Sequence, residues 1–417
     1  MPVNATDRMW FMPTGKSNFF VAIMLTACAT SAALPTFYAP ERIYAVPGVE
    51  CLVHYTRLFD SYTPSRYLLE AVCVKGAAYG ECWSYVAKES EAGTEFPLVL
   101  NAWDDEHGLV ASMTTTVCVA TAPTEAAKSR RITLALLSAS STNCRYQDRI
   151  MERMRNAGFS GYEPVGSRKS SKSNGVCETG EYIAAHDGYG GYSWGSFLTR
   201  YALTVDEIDN VQAEAEREQL KSFGVKLAPG NEWRKALLKS PLVRIRNGKK
   251  VVDIQAWFDK INGGKAPDYI VVTLGGNGVW IQRPDSKQGQ VAEELAQARK
   301  LVPMLRAAAP DAVIAITSAV GGSLDQDSWG KNYGAVQSCF IGNRSFIDYN
   351  RTMQRFCKES GDSKLVFVPV SQGVSHFGAY PHGRRAGNAL HANITGGRQI
   401  GDALFAWLAY DAAARWR

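Results

Sequence analysis

The sequence predicts an α/β protein: a doubly wound parallel sheet preceded by an N-terminal all-β sandwich. Three observations predict it. Residues up to about 122 read as short strands split by turn residues. From Ile132 onward, continuous apolar runs alternate with helical patterns. Between the two lies a polar, small-residue stretch, "APTEAAKSRR". Strands that alternate with helices imply parallel pairing, because the helix carries the chain back to the same edge.

The first part rests on "GVECLVHYT", "YLLEAVCVKG", "EFPLVLNAWD" and "MTTTVCVATA". They are rich in β-branched and aromatic residues, and Gly, Pro, Asp and Ser separate them. The expected sandwich spans 34–122, with a linker at 123–131 and the α/β domain at 132–417. Nothing in the first part reads as catalytic, and His54 and His107 stand alone. In the second part "ITLALLS" (132–138), "YIVVTLG" (269–275), "AVIAITSAV" (312–320) and "KLVFVPV" (364–370) are uniformly apolar. That marks strands covered on both faces. Helical patterns follow at Gln147–Met154, in "QVAEELAQARKLVPMLRAAA" and in "FIDYNRTMQRFCKE". The polar segment 204–224 reads as an exposed helical excursion.

Composition excludes several functions. The 417 residues carry 46 Lys and Arg against 40 Asp and Glu, a net charge of +6 that is spread thinly. The most basic short run, "SRKSSKS" (167–173), has no interleaved aromatics, so no nucleic-acid partner is expected. No CxxC or HExxH spacing points to a metal, and no P-loop is present. At the N-terminus, Arg8 and Lys16 precede "NFFVAIMLTACATSAALP". A basic segment, a short apolar core and small residues form an export signal over 1–33. "LTAC" ends at Cys28, which suits either a lipid-anchored first residue or cleavage a few residues later. The membrane would be touched only through that anchor, with the rest secreted, periplasmic or on the cell surface. The eight other cysteines then permit either disulfides or buried free thiols.

Sites in parallel sheets lie at the carboxyl ends of the strands. The first strand ends in "SASSTN", a hydroxyl cluster before a helix. "HDGYGGYSWG" (186–195) has a glycine-rich backbone open to a ligand, and "GGNG" places Asn277 after another strand. Near the C-terminus, "NALHAN" holds His391.

In this order the four blocks resemble the SGNH hydrolase family, the GDSL-type esterases. The resemblance covers roughly Ile132 to the end and implies a three-layer α/β/α fold. It implies Ser140 as nucleophile, with Ser138 and Ser141 as neighbouring alternatives. It also implies Gly191 and Asn277 as oxyanion-hole donors and His391 as base. Tyr189, Tyr192 and Trp194 are implied substrate contacts, with core packing as the alternative. The N-terminal β-domain and "GKNYG" (330–334) are similar to one secreted bacterial group of that family. The implied activity is hydrolysis of acyl esters on a small molecule or acylated polysaccharide, without cofactor. An acyltransferase and a glycan-binding protein that has lost activity are the rivals. Three family aspartates are absent: Ala139, Gly278 and Asn388 stand in their places. Asn388 is expected to accept the Nδ1–H of His391 through its amide oxygen, without the charge that stabilises an imidazolium.

Overall fold

The computed structural model describes residues 35–169, 175–200, 240–247, 249–280, 287–334, 338–384 and 388–416. The export signal with Cys28, the segment 204–224 and most of "SRKSSKS" lie outside the described residues.

Seven strands form the central sheet: β1 (Ile132–Ser138), β2 (Tyr162–Val165), β3 (Arg168–Lys169), β4 (Ala185–Gly188), β5 (Tyr269–Thr273), β6 (Val313–Thr317) and β7 (Leu365–Val368). Their order is β3-β4-β1-β5-β6-β7, with β2 paired to the first half of β1. All pairs are parallel except β3 with β4. Ser138 sits opposite both Gly188 and Thr273, so three strands reach the same rim.

Among the described residues the helices are α1 (Glu125–Ser129), α2 (Tyr146–Asn156), α3 (Trp194–Thr199), α4 (Ile254–Asn262), α5 (Gly276–Val279), α6 (Lys287–Ala308), α7 (Gln326–Tyr333), α8 (Cys339–Glu359) and α9 (Ile394–Arg415). Among the described residues, no helix is long and apolar enough to cross a membrane.

Alternation along the strands sends side chains to two cores. Ala135, Leu137, Ile270, Val272, Ile314 and Ile316 pack with α3, α4, α6 and α8. Leu134, Leu136, Tyr269, Val271, Val313 and Ala315 pack with α2 and α9. Helices therefore cover both faces, and this is why the strands read as unbroken apolar runs. In α9, Ile400, Leu404, Trp407 and Leu408 supply the apolar stripe. Truncating a strand residue such as Leu137 to Ala would cost about 2–5 kcal/mol.

Residues 36–119 carry only strands and single 3₁₀ turns. Glu95–Asp104 and Gly108–Val119 form a long antiparallel hairpin, flanked by Leu68–Val72 and, in parallel, by Arg42–Ala45. A separate three-stranded sheet contains Glu50–His54 and Cys82–Val86. One apolar core around Val53, Trp83, Leu98, Leu100 and Val117 is shared by both sheets. No disulfide staples it: all eight cysteines from Cys51 to Cys357 are free.

The "APTEAAKSRR" stretch contains the short helix α1. Thr124 caps α1 by accepting from the Ala127 backbone N–H, and Ala127 is fully buried in the second core. Pro35–Arg417 forms one compact unit. Arg57 helps hold it together: its Nε donates to the Val374 carbonyl at 2.7 Å, and its guanidinium lies over the Tyr380 ring. Asp60 pairs with Arg344 and Arg351 on α8.

Candidate active site

β1 ends at Ser138, and the chain turns at once into a 3₁₀ helix, Ser140–Cys144. Ser138 is fully buried, and its Oγ lies 3.0 Å from both Ser141 Oγ and Tyr146 OH. Those bonds hold the turn, and Ser138 does not line the cleft described below. Ser140 is half-buried and points the other way, toward His391: Nε2 lies 2.7 Å from Ser140 Oγ.

His391 sits in the short connection before α9. Asn393 caps that helix by accepting from the Gly396 N–H at 3.0 Å. Burial is the sole cause among the described residues of a pKa below the usual histidine value. The neutral ring, the form that can take a proton, is thereby favoured.

Asn388 does not do what was expected of it. Its Oδ1 accepts from Tyr333 OH at 2.6 Å and from the backbone N–H groups of Leu390 and His391 at 2.8 and 3.1 Å. It shapes the turn that carries His391 rather than holding the far nitrogen. A side chain two or three residues ahead of a turn's N–H groups is well placed to cap them, and here that local role prevails. Among the described residues, Nδ1 of His391 has no partner.

The glycine-rich segment follows β4. Gly191 has φ +73°, a left-handed conformation that only glycine adopts cheaply. Among the described residues its N–H donates to no other backbone group. Asn277 stands on α5, and its Nδ2 donates to the Tyr192 carbonyl at 3.0 Å. That bond ties the two segments together and leaves the second amide hydrogen available. Ser140, Gly191, Asn277, Asn388 and His391 line one cleft of about 380 Å³ at the carboxyl rim of the sheet. The first N–H groups of the 3₁₀ helix at Ser140 and Ser141 have no intrahelical partner. The arrangement has the parts for acyl transfer: a hydroxyl, a neutral imidazole against it, and donors for a developing oxyanion.

None of the three aromatic contacts expected from the sequence lines the cleft. Tyr192 and Trp194 are fully buried in the core and do not line the cleft. Trp194 Nε1 donates to Tyr349 OH at 2.8 Å. Tyr189 stacks on Tyr192 and donates to Asp187 Oδ1 at 3.1 Å, so it too is a packing residue. The cleft's aromatic wall is made instead by Trp280, Tyr333 and Phe346. Trp280 lies three residues after Asn277, and Tyr333 belongs to "GKNYG"; those spacings were the available signals.

No family model matches the chain, and no curated protein matches it. Solved structures do. A family 3 carbohydrate esterase from Talaromyces cellulolyticus is 15% identical with a TM-score of 0.40, over 66% of this chain and 96% of that one. A family 3 carbohydrate esterase from Clostridium thermocellum is 14% identical with a TM-score of 0.39, over 69% and 100%. A family two carbohydrate esterase from the same organism, in complex with cellohexaose, is 13% identical with a TM-score of 0.35, over 90% and 95%.

Proposed function

We propose that the protein is a serine esterase that hydrolyses acyl esters, with acetylated carbohydrate as the substrate class. The observation that carries this reading is the 2.7 Å approach of His391 Nε2 to Ser140 Oγ at the cleft floor. Ser140 Oγ attacks the ester carbonyl while His391 takes its proton. The tetrahedral oxyanion accepts from the Gly191 N–H, the free Asn277 amide hydrogen and the N–H at the start of the 3₁₀ turn. The alcohol leaves with the proton from His391. Water then attacks the acyl-enzyme by the same route and regenerates Ser140. Trp280, Tyr333 and Phe346 offer apolar faces of the kind that stack on sugar rings.

The test is turnover of an aryl acetate and of an acetylated oligosaccharide by purified protein, with Ser140→Ala as control. Activity on both that the substitution removes supports the reading. Unchanged activity in Ser140→Ala would exclude Ser140 as nucleophile. A catalytically weak protein on this site is the second reading, favoured by His391 Nδ1, which has no partner among the described residues. The same assay decides it, since no turnover above background would establish it. Export is part of the proposal. A mature chain that begins at Cys28 or shortly after, found by mass spectrometry of host-derived protein, would support it, and an intact Met1 would overturn it.

A further inference from the structure

We infer that Glu294 is the positioning residue of the oxyanion hole, bridging the Gly191–Trp194 segment and the Asn277 turn. The inference rests on the proposed reading of the site. Glu294 stands on α6, and its side chain is buried, at 5% exposure. Its Oε2 accepts the Trp194 backbone N–H at 3.3 Å. Its carboxyl also fills the space in front of Gly278, where any Cβ would collide with it. Gly278 directly follows Asn277, and Trp194 lies three residues after Gly191. One carboxyl thus touches the chain beside each of two donors, while Asn277 Nδ2 joins the same segments through the Tyr192 carbonyl.

The placement is not an accident of helix packing. Val291, Ala298, Leu301, Val302 and Leu305 of α6 face the apolar core, and Glu294 occupies that same stripe. Burying a carboxyl there is costly unless it has work to do. Burial pushes its pKa up to about 7, and Glu293 on the same helix adds to the rise. From α8 it faces the Tyr349 hydroxyl, while α3 and α5 bring it no charged side chain. Ionised, the carboxylate makes a charge-assisted bond to Trp194 N–H; protonated, it accepts more weakly. The clamp therefore tightens as pH rises through about 7.

The experiment begins with a fluorophosphonate probe. Labelling at Ser140 establishes a working site, and no labelling would sink the proposed function before Glu294 is in question. In protein that has not met the probe, kcat should show an inflection near 7 that Glu294→Gln removes, with about a fivefold lower kcat at pH 8 and little change at pH 6. Glu294→Ala should lower kcat by about 10²-fold while KM moves by no more than about twofold. Gly278→Asp alone should be similarly impaired, because its carboxyl meets that of Glu294. The pair Gly278→Asp with Glu294→Ala should recover most of the loss, since the carboxyl returns to the same space from the other side. An unchanged pH profile in Glu294→Gln, or a double variant no better than either single one, would overturn the inference. So would equal changes in KM and kcat.

Discussion

Ser140 Oγ and His391 Nε2 stand 2.7 Å apart although 251 residues separate them in the chain. Each is delivered by a local rule. Ser140 opens the turn that ends β1, and His391 precedes the Asn393-capped start of α9. The two meet because α9 packs against α2 on one face of the sheet while its first residues reach the sheet's rim.

The pH dependence follows from burial of His391. Its folded pKa lies below 6.5, and catalysis needs the neutral ring. Activity on an aryl acetate should rise through a pKa below 6.5 as His391 loses its proton, and the His391 titration should add little further rise above neutral pH. For stability the sign is the same. A histidine with a lowered pKa resists protonation in the fold, so its contribution is present above 6.5 and lost as pH falls. A rate profile that still climbs steeply above pH 8 would contradict this.

Asn277→Ala removes one amide donor from the cleft and the bond to the Tyr192 carbonyl. A loss of about 10²–10³ in kcat is expected, the usual cost of one oxyanion donor. Circular dichroism and thermal unfolding should show a fold that survives, since Asn277 lies on the short α5 at the rim of the sheet.

Asn388→Asp tests the missing charge. A carboxylate oxygen can keep all three donors now held by the amide oxygen: Tyr333 OH and the N–H groups of Leu390 and His391. It also places a negative charge beside the imidazole. The His391 pKa should rise, visible as a shifted inflection, and kcat should increase. In a serine triad the carboxylate behind the base is worth about 10⁴ in kcat when it reaches Nδ1. The gain here should be smaller, because the residue faces backbone donors rather than that nitrogen.

Arg57→Ala should destabilise the whole of Pro35–Arg417. It deprives the buried Val374 carbonyl of its donor and opens a void beside Tyr380. About 2–4 kcal/mol is expected, read as a shift in a single cooperative urea transition. Two separated transitions in the parent protein would show that the β-rich segment folds apart from the sheet that follows it.

Much of the architecture could be read from local pattern. "ITLALLS", "YIVVT", "VIAIT" and "LVFV" form strands because period and apolarity leave no solvent-facing side. The expected strands ran a few residues long at 274–275, 318–320 and 369–370, where the apolar chain turns to build the cleft's rim. Ser140, Gly191, Asn277 and His391 were singled out only through the resemblance that four ordered blocks carry, since each block alone is a weak signal; all four line one cleft. What only the tertiary structure decided was partnership. Tyr192 and Trp194 had the composition of a sugar platform but lie in the core, since burial depends on what packs over them. Asn388 had the spacing of a triad partner but is used by three nearby donors. Glu294 lies in "QVAEELAQARKLVPMLRAAA", which by pattern is an ordinary helix. Its meaning depends on Gly278 and Trp194, and no local pattern records which backbone a buried carboxyl will face.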